Sequence, residues 1–489
     1  MRGPTDPDDK VPSTPFPVSP VSNGEWVPLA VTKTQALAAK LIAEEADVQA
    51  KRHGMSRAQF LKTAAGTAIA FSVLNRLHGL DAWGDNAMLP VKKVHCEDPE
   101  AAREFLDKDQ YFIVDVQTHH ADTGAFPPSF FCFLRFLQEA GDPSCSDDPS
   151  VLGDLNYIRE MLIDSETDVA VLSGLPSGVP LGPEKMLQTR DLANQLAASE
   201  RCVSQAVIDA NFDNRTIPAP DASTRLDTLE HQVNMGARAI KTYTYNGNWR
   251  LDDETIAYPM YAEAERLGIK LINCHKGLPA IFAPGSEESV RTIDIPKAVA
   301  DWPKLRFCAY HSGYFQTGNH PEGKDGISEF VEVLEGMPKK HRTRVYAEIG
   351  STFAITLLGD GGVGGMQTGR FIGQLLKTLG SKNILWGTDS IWWGSPQWLI
   401  DAFKNLQMPA SLLDEGFPQI KKRDKQRIFG KNAAKLYGIK RTQKRCTIPE
   451  DALGQMQVAM GGPRANRSLH VYGARSRREF LQLFGWHYG

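Results

Sequence analysis

Residues 111–120 read YFIVDVQTHH, a β-branched and apolar run that ends in polar side chains, as a buried barrel strand does. Seven similar runs follow, each separated from the next by a stretch with helical periodicity. They are DVAVLSGLP (168–176), CVSQAVIDAN (202–211), GARAIKTYTYN (236–246), IKLINCHKG (269–277), LRFCAYHSG (305–313), RVYAEIGS (344–351) and NILWGTDS (383–390). The first and last runs begin at residues 111 and 383, so the mean step is about 39 residues. This repeat predicts an α/β fold, a (β/α)8 TIM barrel over residues 108–440.

The alternative to a barrel is a doubly wound open sheet with helices on both faces. Such a sheet usually carries a glycine-rich turn directly after its first strand, and no such turn follows residues 111–120. The barrel is therefore the better prediction. Its parallel strands would bring their carboxyl ends to one rim, where barrel enzymes keep their active sites.

Five of the eight predicted strand ends carry a side chain that could bind a metal ion or transfer a proton. They are Gln117 and His119 on the first run, His275 on the fifth, His311 on the sixth, Glu348 on the seventh and Asp389 on the eighth. Gln117 and His119 are two positions apart, so on a strand both side chains point to the same side. A single histidine in such a place is usually a hydrogen-bonded rim residue. Three histidines and an aspartate, at the same end of different strands, predict a metal site, since two imidazoles and a carboxylate leave room for water or substrate.

The same residues resemble a known family. Residues 111–440 resemble the amidohydrolase superfamily, in the amidohydrolase-related branch that includes aminocarboxymuconate-semialdehyde decarboxylase. The likeness lies in the D-x-H-x-H position of the first strand (Asp115 to His119), His275 in NCHKG, His311 in AYHSG, Asp389 in LWGTDS and the closing helix IFGKNAAKLYGI (428–439). The departure is Gln117, which stands where most members have histidine.

The resemblance implies a metal centre and a role for each of its residues. His119, His275 and Asp389 would bind one divalent metal ion, zinc or, as the alternative, manganese. His311 would be the catalytic base or proton shuttle, and Asp389 could share that work. Gln117 would be a weaker ligand than histidine, because an amide oxygen binds zinc less well than imidazole does, or it would not bind at all.

Four further residues are candidates for substrate binding: Lys241, Glu348, Trp392 and Trp393. Lys241 ends the fourth run and could bind a substrate carboxylate or, once carboxylated, bridge a metal site; packing at the rim is the other interpretation. Glu348 could pair with Lys241 or orient a metal ligand. The two tryptophans follow Asp389 and could wall an apolar substrate or belong to the core.

Taken together, these residues predict a metal-dependent hydrolase that uses metal-activated water on a small carboxylated, amide or ester-like substrate. A non-oxidative decarboxylase (carboxy-lyase) with the same site is the alternative enzyme. A metal-free binding scaffold is the alternative from another functional class, because Gln117 replaces one of the family's ligands.

The composition of the chain limits the kinds of partner that it is expected to bind. The chain has 489 residues, with 55 Lys plus Arg against 58 Asp plus Glu and a net charge of −3. This balance creates no strong field for nucleic acid, so we expect a small-molecule substrate. No apolar run approaches the roughly 18 residues that a membrane-spanning helix needs.

We also expect a homo-oligomer. Seven cysteines without a C-x-x-C pair predict buried thiols.

The chain extends beyond the barrel at both ends. Residues 1–53 predict a Pro- and Ser-rich arm, disordered or draped on the surface, and then a polar helix. Residues 54–80 predict either a packed helix or a degenerate twin-arginine-like export signal, so cytoplasmic and exported locations both stay open. Residues 441–489 form a C-terminal tail.

Overall fold

Short parallel strands, each buried, form the wall of the fold. The structure is a computed structural model that describes residues 14–23, 26–83, 86–122, 152–175, 181–211, 222–280, 285–359, 366–440, 450–464, 469 and 471–477. Within these ranges the strands are β1 Val114–Thr118, β2 Val169–Leu172, β3 Cys202–Ser204, β4 Ala206–Val207, β5 Ile240–Tyr243, β6 Leu271–Gly277, β7 Arg306–Tyr314, β8 Val345–Glu348 and β9 Ile384–Leu385. They read as nearly continuous apolar runs because a parallel barrel buries both faces of each strand.

The strands pair in chain order and close on themselves. Every neighbouring pair within β1 to β3 and within β4 to β9 is parallel. β3 and β4 are the two halves of the third barrel strand, interrupted at Gln205, whose N–H donates to the Leu172 carbonyl at 3.1 Å. The Val116 N–H donates to the Trp386 carbonyl at 3.0 Å, and Thr118 forms a parallel bridge with Ser390. These bonds join β1 to the segment after β9, so the predicted (β/α)8 barrel is confirmed and an open sheet is excluded.

Helices surround the barrel and fill the steps between the strands. After five helices that precede β1, described next, they are α6 Asp154–Ile158, α7 Pro183–Ala197, α8 Ala222–Asn234, α9 Ala257–Arg266, α10 Ser286–Ser289, α11 Ile295–Asp301, α12 Ser328–Gly336, α13 Lys339–Arg342, α14 Gly350–Leu358, α15 Gln367–Thr378, α16 Gln397–Asn405, α17 Ala410–Asp414, α18 Lys422–Gln426, α19 Asn432–Tyr437 and α20 Ala452–Ala459. A π-helical turn over Arg427–Lys431 joins α18 to α19. A Cβ at Gly430 in this turn would lie 2.1 Å from the Phe112 carbonyl oxygen, so the missing side chain lets the closing helix approach the entry to β1.

A helical layer precedes the barrel. It consists of α1 Lys33–Arg52, α2 Arg57–Leu61, α3 Ala64–Leu77, α4 Lys93–Glu97 and α5 Pro99–Asp107. α3 is buried on all sides from Ala64 to Asn75 and packs against α1, α4 and α5. Its alanines and glycine allow this close approach. None of the helices in the described ranges combines the length and apolarity needed to cross a membrane.

The N-terminal arm and the C-terminal tail meet at the barrel. The arm was expected to be disordered or to lie on the surface; within residues 14–23 the structure buries Pro15, Phe16 and residues 20–23 and leaves the other four partly exposed. Phe16 stacks on Trp398 with ring centroids 4.8 Å apart, and Ser22 pairs with Ala474 of the tail in an antiparallel bridge. The Pro- and Ser-rich composition conceals large apolar side chains, such as Phe16 and Trp26, that bury enough surface to hold the segment.

Candidate active site

Five of the predicted site residues meet in one buried cluster at the carboxyl ends of the strands. Gln117, His119, His275, His311 and Asp389 are each no more than 2% exposed. The barrel topology explains this convergence, because parallel strands of one barrel all end at the same rim. Within this cluster Asp389 contacts His119 and Gln117.

Each oxygen of the Asp389 carboxylate is engaged. Its Oδ1 lies 3.4 Å from His119 Nε2 and accepts a hydrogen bond from Gln117 Nε2 at 3.1 Å. Its Oδ2 accepts from Ser351 Oγ at 2.6 Å and from Asn23 Nδ2 at 2.8 Å. The carboxylate therefore presents Oδ1 to the histidine side of the cluster and Oδ2 to α14 and the arm.

Sequence reasoning missed Asn23 and Ser351. Ser351 lies three residues after Glu348, at the start of α14, so its place beside a strand end was a usable signal. Asn23 belongs to the arm and carried no such signal.

Backbone carbonyls hold two of the histidines in a defined tautomer. Nδ1 of His119 lies 2.8 Å from the Ser173 carbonyl oxygen, and Nε2 of His275 lies 3.1 Å from the Leu278 carbonyl oxygen. A carbonyl can only accept, so the nitrogen facing it carries a proton, and in the neutral form of the ring the lone pair lies on the opposite nitrogen. This arrangement leaves Nε2 of His119 and Nδ1 of His275 as the nitrogens able to bind a cation.

Gln117 bridges Asp389 and His311 through its amide nitrogen. Gln117 Nε2 lies 3.1 Å from Asp389 Oδ1 and 3.3 Å from His311 Nε2. No residue that the structure describes donates a hydrogen bond to Gln117 Oε1, which packs so close to Gly350 that a Cβ there would lie 2.8 Å away. In this orientation Gln117 is a hydrogen-bond donor to the site. Its oxygen could bind a cation beside Asp389 only after the amide turned over.

Glu348 accepts hydrogen bonds from the backbone of the segments that carry the cluster. Its carboxylate accepts from the backbone N–H of His311 at 3.0 Å and from that of Gly350. Burial raises the pKa of Glu348 to about 8, while these two donors and the nearby Lys241 ammonium act in the opposite direction. Glu348 thus fixes the backbone that carries His311.

Lys241 lies inside the barrel between two aromatic rings. Its Nζ is 3.9 Å from the centroid of Tyr310 and 4.6 Å from that of Tyr243, and the side chain is fully buried. The Tyr243 ring in turn lies 6.1 Å from the ring of His275. The structure therefore brings Lys241 next to the histidine cluster as a cation held by π faces.

Trp392 and Trp393 lie in the loop after Asp389 and are buried in the main hydrophobic cluster. The Trp393 ring is 6.2 Å from that of Trp398, and the Trp392 carbonyl accepts from the backbone N–H groups of Tyr472 and Gly473 in the tail. These contacts tie the two tryptophans to the core and to the tail.

Left-handed backbone marks two of the site residues. His311 has φ 62° and Asp389 has φ 58°, values that residues with a side chain rarely adopt. Such conformations cost about 1–3 kcal/mol each and persist where the surrounding structure imposes them. At Asp389 the side-chain bonds to Ser351 and Asn23 and the backbone bond to Gln117 supply that constraint.

The cluster contains imidazole nitrogens and a carboxylate, which are types of atom that bind divalent metal ions. His119 Nε2 and Asp389 Oδ1 face each other at 3.4 Å, and the His275 and His311 rings follow with centroids 4.6 Å apart. Within the described part of the chain, no three His, Cys, Asp or Glu side chains are spaced to share one ion as they stand. The residue types and the histidine tautomers fit a metal ion, and a third ligand requires a side-chain adjustment.

A family model for amidohydrolases matches residues 184–439, just over half of the chain. The chain belongs to the amidohydrolase family. The match contains His275, His311, Glu348 and Asp389, and it begins after β2, so β1 with Gln117 and His119 lies outside it. No curated protein matches the chain at a significant level of sequence similarity.

Several solved structures resemble the amidohydrolase-family chain at low identity. The 5-carboxyvanillate decarboxylase LigW from Sphingomonas paucimobilis is 15% identical, with 68% of this chain and 100% of that chain covered and a TM-score of 0.39. A probable 2-pyrone-4,6-dicarboxylic acid hydrolase from Acinetobacter baumannii, with citric acid bound, is 12% identical over 67% and 99%, with a TM-score of 0.40. A 5-carboxyvanillate decarboxylase from Novosphingobium aromaticivorans, complexed with manganese and 4-hydroxy-3-methoxy-5-nitrobenzoic acid, is 13% identical over 67% and 96%, with a TM-score of 0.38. Likenesses at this level do not assign a reaction to this chain.

Proposed function

We propose that this amidohydrolase-family chain is a metal-dependent hydrolase that acts on a small carboxylated substrate with an amide or ester-like bond. The observation that carries the proposal is the buried contact of Asp389 with His119 and Gln117. In this contact His119 Nδ1 is hydrogen-bonded to the Ser173 carbonyl oxygen, so its Nε2 faces the carboxylate. Metal-binding histidines are commonly oriented in this way. His119 Nε2 and Asp389 Oδ1 face each other at 3.4 Å, as two ligands of one ion can.

His119 Nε2, His275 Nδ1 and Asp389 Oδ1 would hold one divalent ion, zinc or manganese. Gln117 would serve as a donor to Asp389, or as an oxygen ligand once its amide turns over. Bound there, a divalent ion supplies a Lewis acid that polarises a carbonyl oxygen and lowers the pKa of a coordinated water.

The remaining residues would bind the substrate and move the proton. In hydrolysis, water adds to the carbonyl carbon, the bond to the leaving nitrogen or oxygen breaks, and His311 passes the proton from the water to the leaving group. Lys241 would pair with the substrate carboxylate, since its ammonium is buried beside the cluster. The burial of Trp392 and Trp393 in the hydrophobic core favours a packing role for them over a place in the substrate site.

One observation favours decarboxylation as a second candidate. Oδ2 of Asp389 accepts two hydrogen bonds and Oδ1 accepts one from Gln117, so an Asp389 that also bound the ion would have no lone pair left to share with His311 the uptake of a proton from water. Decarboxylation needs no such step. The bond between the carboxylate and its carbon breaks, carbon dioxide leaves, and His311 delivers a proton to that carbon.

Metal analysis tests the common core of both candidates. We expect the wild-type protein to contain close to one equivalent of zinc or manganese and the variants His119→Ala and Asp389→Ala to contain little. His231→Ala is the matched control, because His231 is an exposed histidine paired with Glu184 outside the cluster. Absence of metal from the wild type after incubation with either ion would contradict the proposal and favour a binding scaffold.

The reaction type is then decided on loaded protein. A panel of cyclic esters, amides and aromatic acids, each carrying a carboxylate, would be followed for ring opening or acid release and for bicarbonate formation. Bicarbonate formation without hydrolysis would replace the hydrolase proposal with the carboxy-lyase.

A further inference from the structure

The N-terminal arm places one of its own side chains in the candidate active site. Asn23 precedes Asp389 by 366 residues, yet its Nδ2 donates to Asp389 Oδ2 at 2.8 Å. Ser351 Oγ donates to the same oxygen at 2.6 Å. Asn23 is 9% exposed and Asp389 is fully buried, so water does not compete freely for this contact.

The arm is anchored on both sides of Asn23. Val21 and Ser22 are fully buried, and Trp26 is 2% exposed. The Ser22 N–H donates to the Ala474 carbonyl at 2.8 Å, and Ser22 Oγ donates to the Trp26 carbonyl. Burial of large apolar side chains such as Trp26 stabilises the bound position of the arm. Releasing the arm would therefore be costly, which indicates a fixed part of the site rather than a removable plug.

The tail is shaped to receive the arm. A Cβ at Gly473 would lie 2.1 Å from the Ser22 carbonyl oxygen, so only glycine permits this approach. The Gly473 N–H in turn donates to the carbonyl of Trp392, which lies three residues after Asp389. The arm, the tail and the loop after Asp389 form one hydrogen-bonded unit beside the cluster.

The two donors on Oδ2 fix the rotation of the Asp389 carboxylate. A half-turn of the carboxylate would exchange its oxygens, and smaller rotations would stretch the bonds from both Asn23 and Ser351. Hydrogen bonds to a charged group are stronger than those between neutral groups. Together they hold Oδ1 at 3.4 Å from His119 Nε2.

We infer that Asn23 is a positioning residue of the metal site: its hydrogen bond to Asp389 Oδ2 fixes the carboxylate for ion binding. The inference rests on the proposed function, since it requires Asp389 to be a ligand. It makes the N-terminal arm part of the active site. Removing such a donor to a ligating carboxylate typically weakens metal affinity about 10- to 100-fold.

The test measures the affinity of the full-length protein for zinc and for manganese by competition with a chromophoric chelator. Asn23→Ala and Asn23→Leu both remove the donor, and Asn23→Leu preserves the number and branching of the side-chain heavy atoms in case the smaller variant folds poorly. We expect both to bind each ion about 10- to 100-fold more weakly than wild type. Ser22→Ala is the matched control, because it removes an arm hydroxyl that bonds Trp26 and does not touch Asp389.

Ser351→Ala gives a second, independent reading. Because Ser351 and Asn23 share Asp389 Oδ2, each single variant should weaken metal binding. The two effects should also be coupled, so the fold-loss of affinity in the double variant should differ from the product of the two single fold-losses. Unfolding temperatures of the metal-free variants, compared with Ser22→Ala, separate a loss of ion binding from a loss of arm packing.

The outcomes distinguish this inference from the proposed function. If Asp389→Ala binds metal as tightly as wild type, the proposed function fails and the inference fails with it. If Asp389→Ala loses the ion while both Asn23 variants keep wild-type affinity, only the inference is overturned. Equal weakening in Asn23→Leu and Ser22→Ala would also overturn it, because the effect would then come from displacement of the arm.

Discussion

Gly387 lies directly beneath the candidate site, between β9 and Asp389, and we predict that Gly387→Ala destabilises the protein. A Cβ at this position would lie 2.1 Å from Glu348 Oε1 and 3.2 Å from Gln117 Cβ. An ordinary carbon–oxygen contact needs more than about 3 Å. The Glu348 carboxylate or the Gly387 backbone would therefore have to move by about 1 Å.

The cost follows from what holds Glu348. Its carboxylate is fully buried and accepts backbone hydrogen bonds from His311, at 3.0 Å, and from Gly350. Losing one such bond to a buried acceptor costs about 1–3 kcal/mol, and overpacking alone costs a similar amount. We therefore expect a loss of about 3 kcal/mol. With an unfolding entropy of about 2.1 cal/mol/K per residue over roughly 330 barrel residues, this corresponds to about 4 °C in Tm.

Calorimetry and urea unfolding of the metal-free protein would measure this loss. Gly336→Ala is the matched control, because Gly336 ends α12 and a Cβ there would meet nothing within 4 Å. We expect the control to stay within about 1 kcal/mol of wild type. A Gly387→Ala variant as stable as the control would refute the inference that the Glu348 carboxylate is held rigidly against this glycine.

Two further predictions concern parts of the molecule away from the cluster. Burial lowers the pKa of Lys425 to about 8, and its Nζ donates to the Lys404 carbonyl at 2.6 Å. Between pH 8 and 10.5 the Lys425 side chain is protonated in the unfolded chain and deprotonated in the folded one, so it makes the free energy of unfolding rise with pH in this range. Lys425→Met should remove up to about 3 kcal/mol of that rise. Identical stability–pH curves for wild type and variant would contradict this prediction. Phe16→Ala should cost about 3 kcal/mol in urea unfolding, because Phe16 stacks on Trp398 in the core, whereas Leu37→Ala, at a residue that is 44% exposed, should cost much less.

The barrel and the grouping of its rim residues could be predicted from the sequence for a physical reason. Parallel barrel strands are buried on both faces, so each reads as an apolar run, and all of them end at the same rim. The convergence of Gln117, His119, His275 and His311 therefore follows from topology once the eight runs are recognised. Their exact contacts do not, because the tautomer of His119 depends on the Ser173 carbonyl of another strand loop.

The orientation of Gln117 and the role of Asn23 could not be predicted. An amide can face a site with its oxygen or its nitrogen, and the choice here is set by the Asp389 carboxylate on one side and by Gly350 on the other. Asn23 belongs to a segment with neither strand nor helix periodicity, and its hydrogen bond spans 366 residues. Only the large apolar residues of the arm, such as Phe16, indicated that the segment could be buried.

The candidate site is assembled from parts inside and outside the family match. The match begins at residue 184 and contains Asp389 but neither His119 nor Asn23. Backbone hydrogen bonds between β1 and the segment after β9, such as that from the Asp389 N–H to the Gln117 carbonyl at 2.9 Å, bring His119 to the aspartate. The arm reaches the same carboxylate from the other side at 2.8 Å. Because both groups act on one side chain, the properties of Asp389 in this chain depend on segments that the family pattern does not describe, and an assay of the reaction needs a protein that contains the arm and β1.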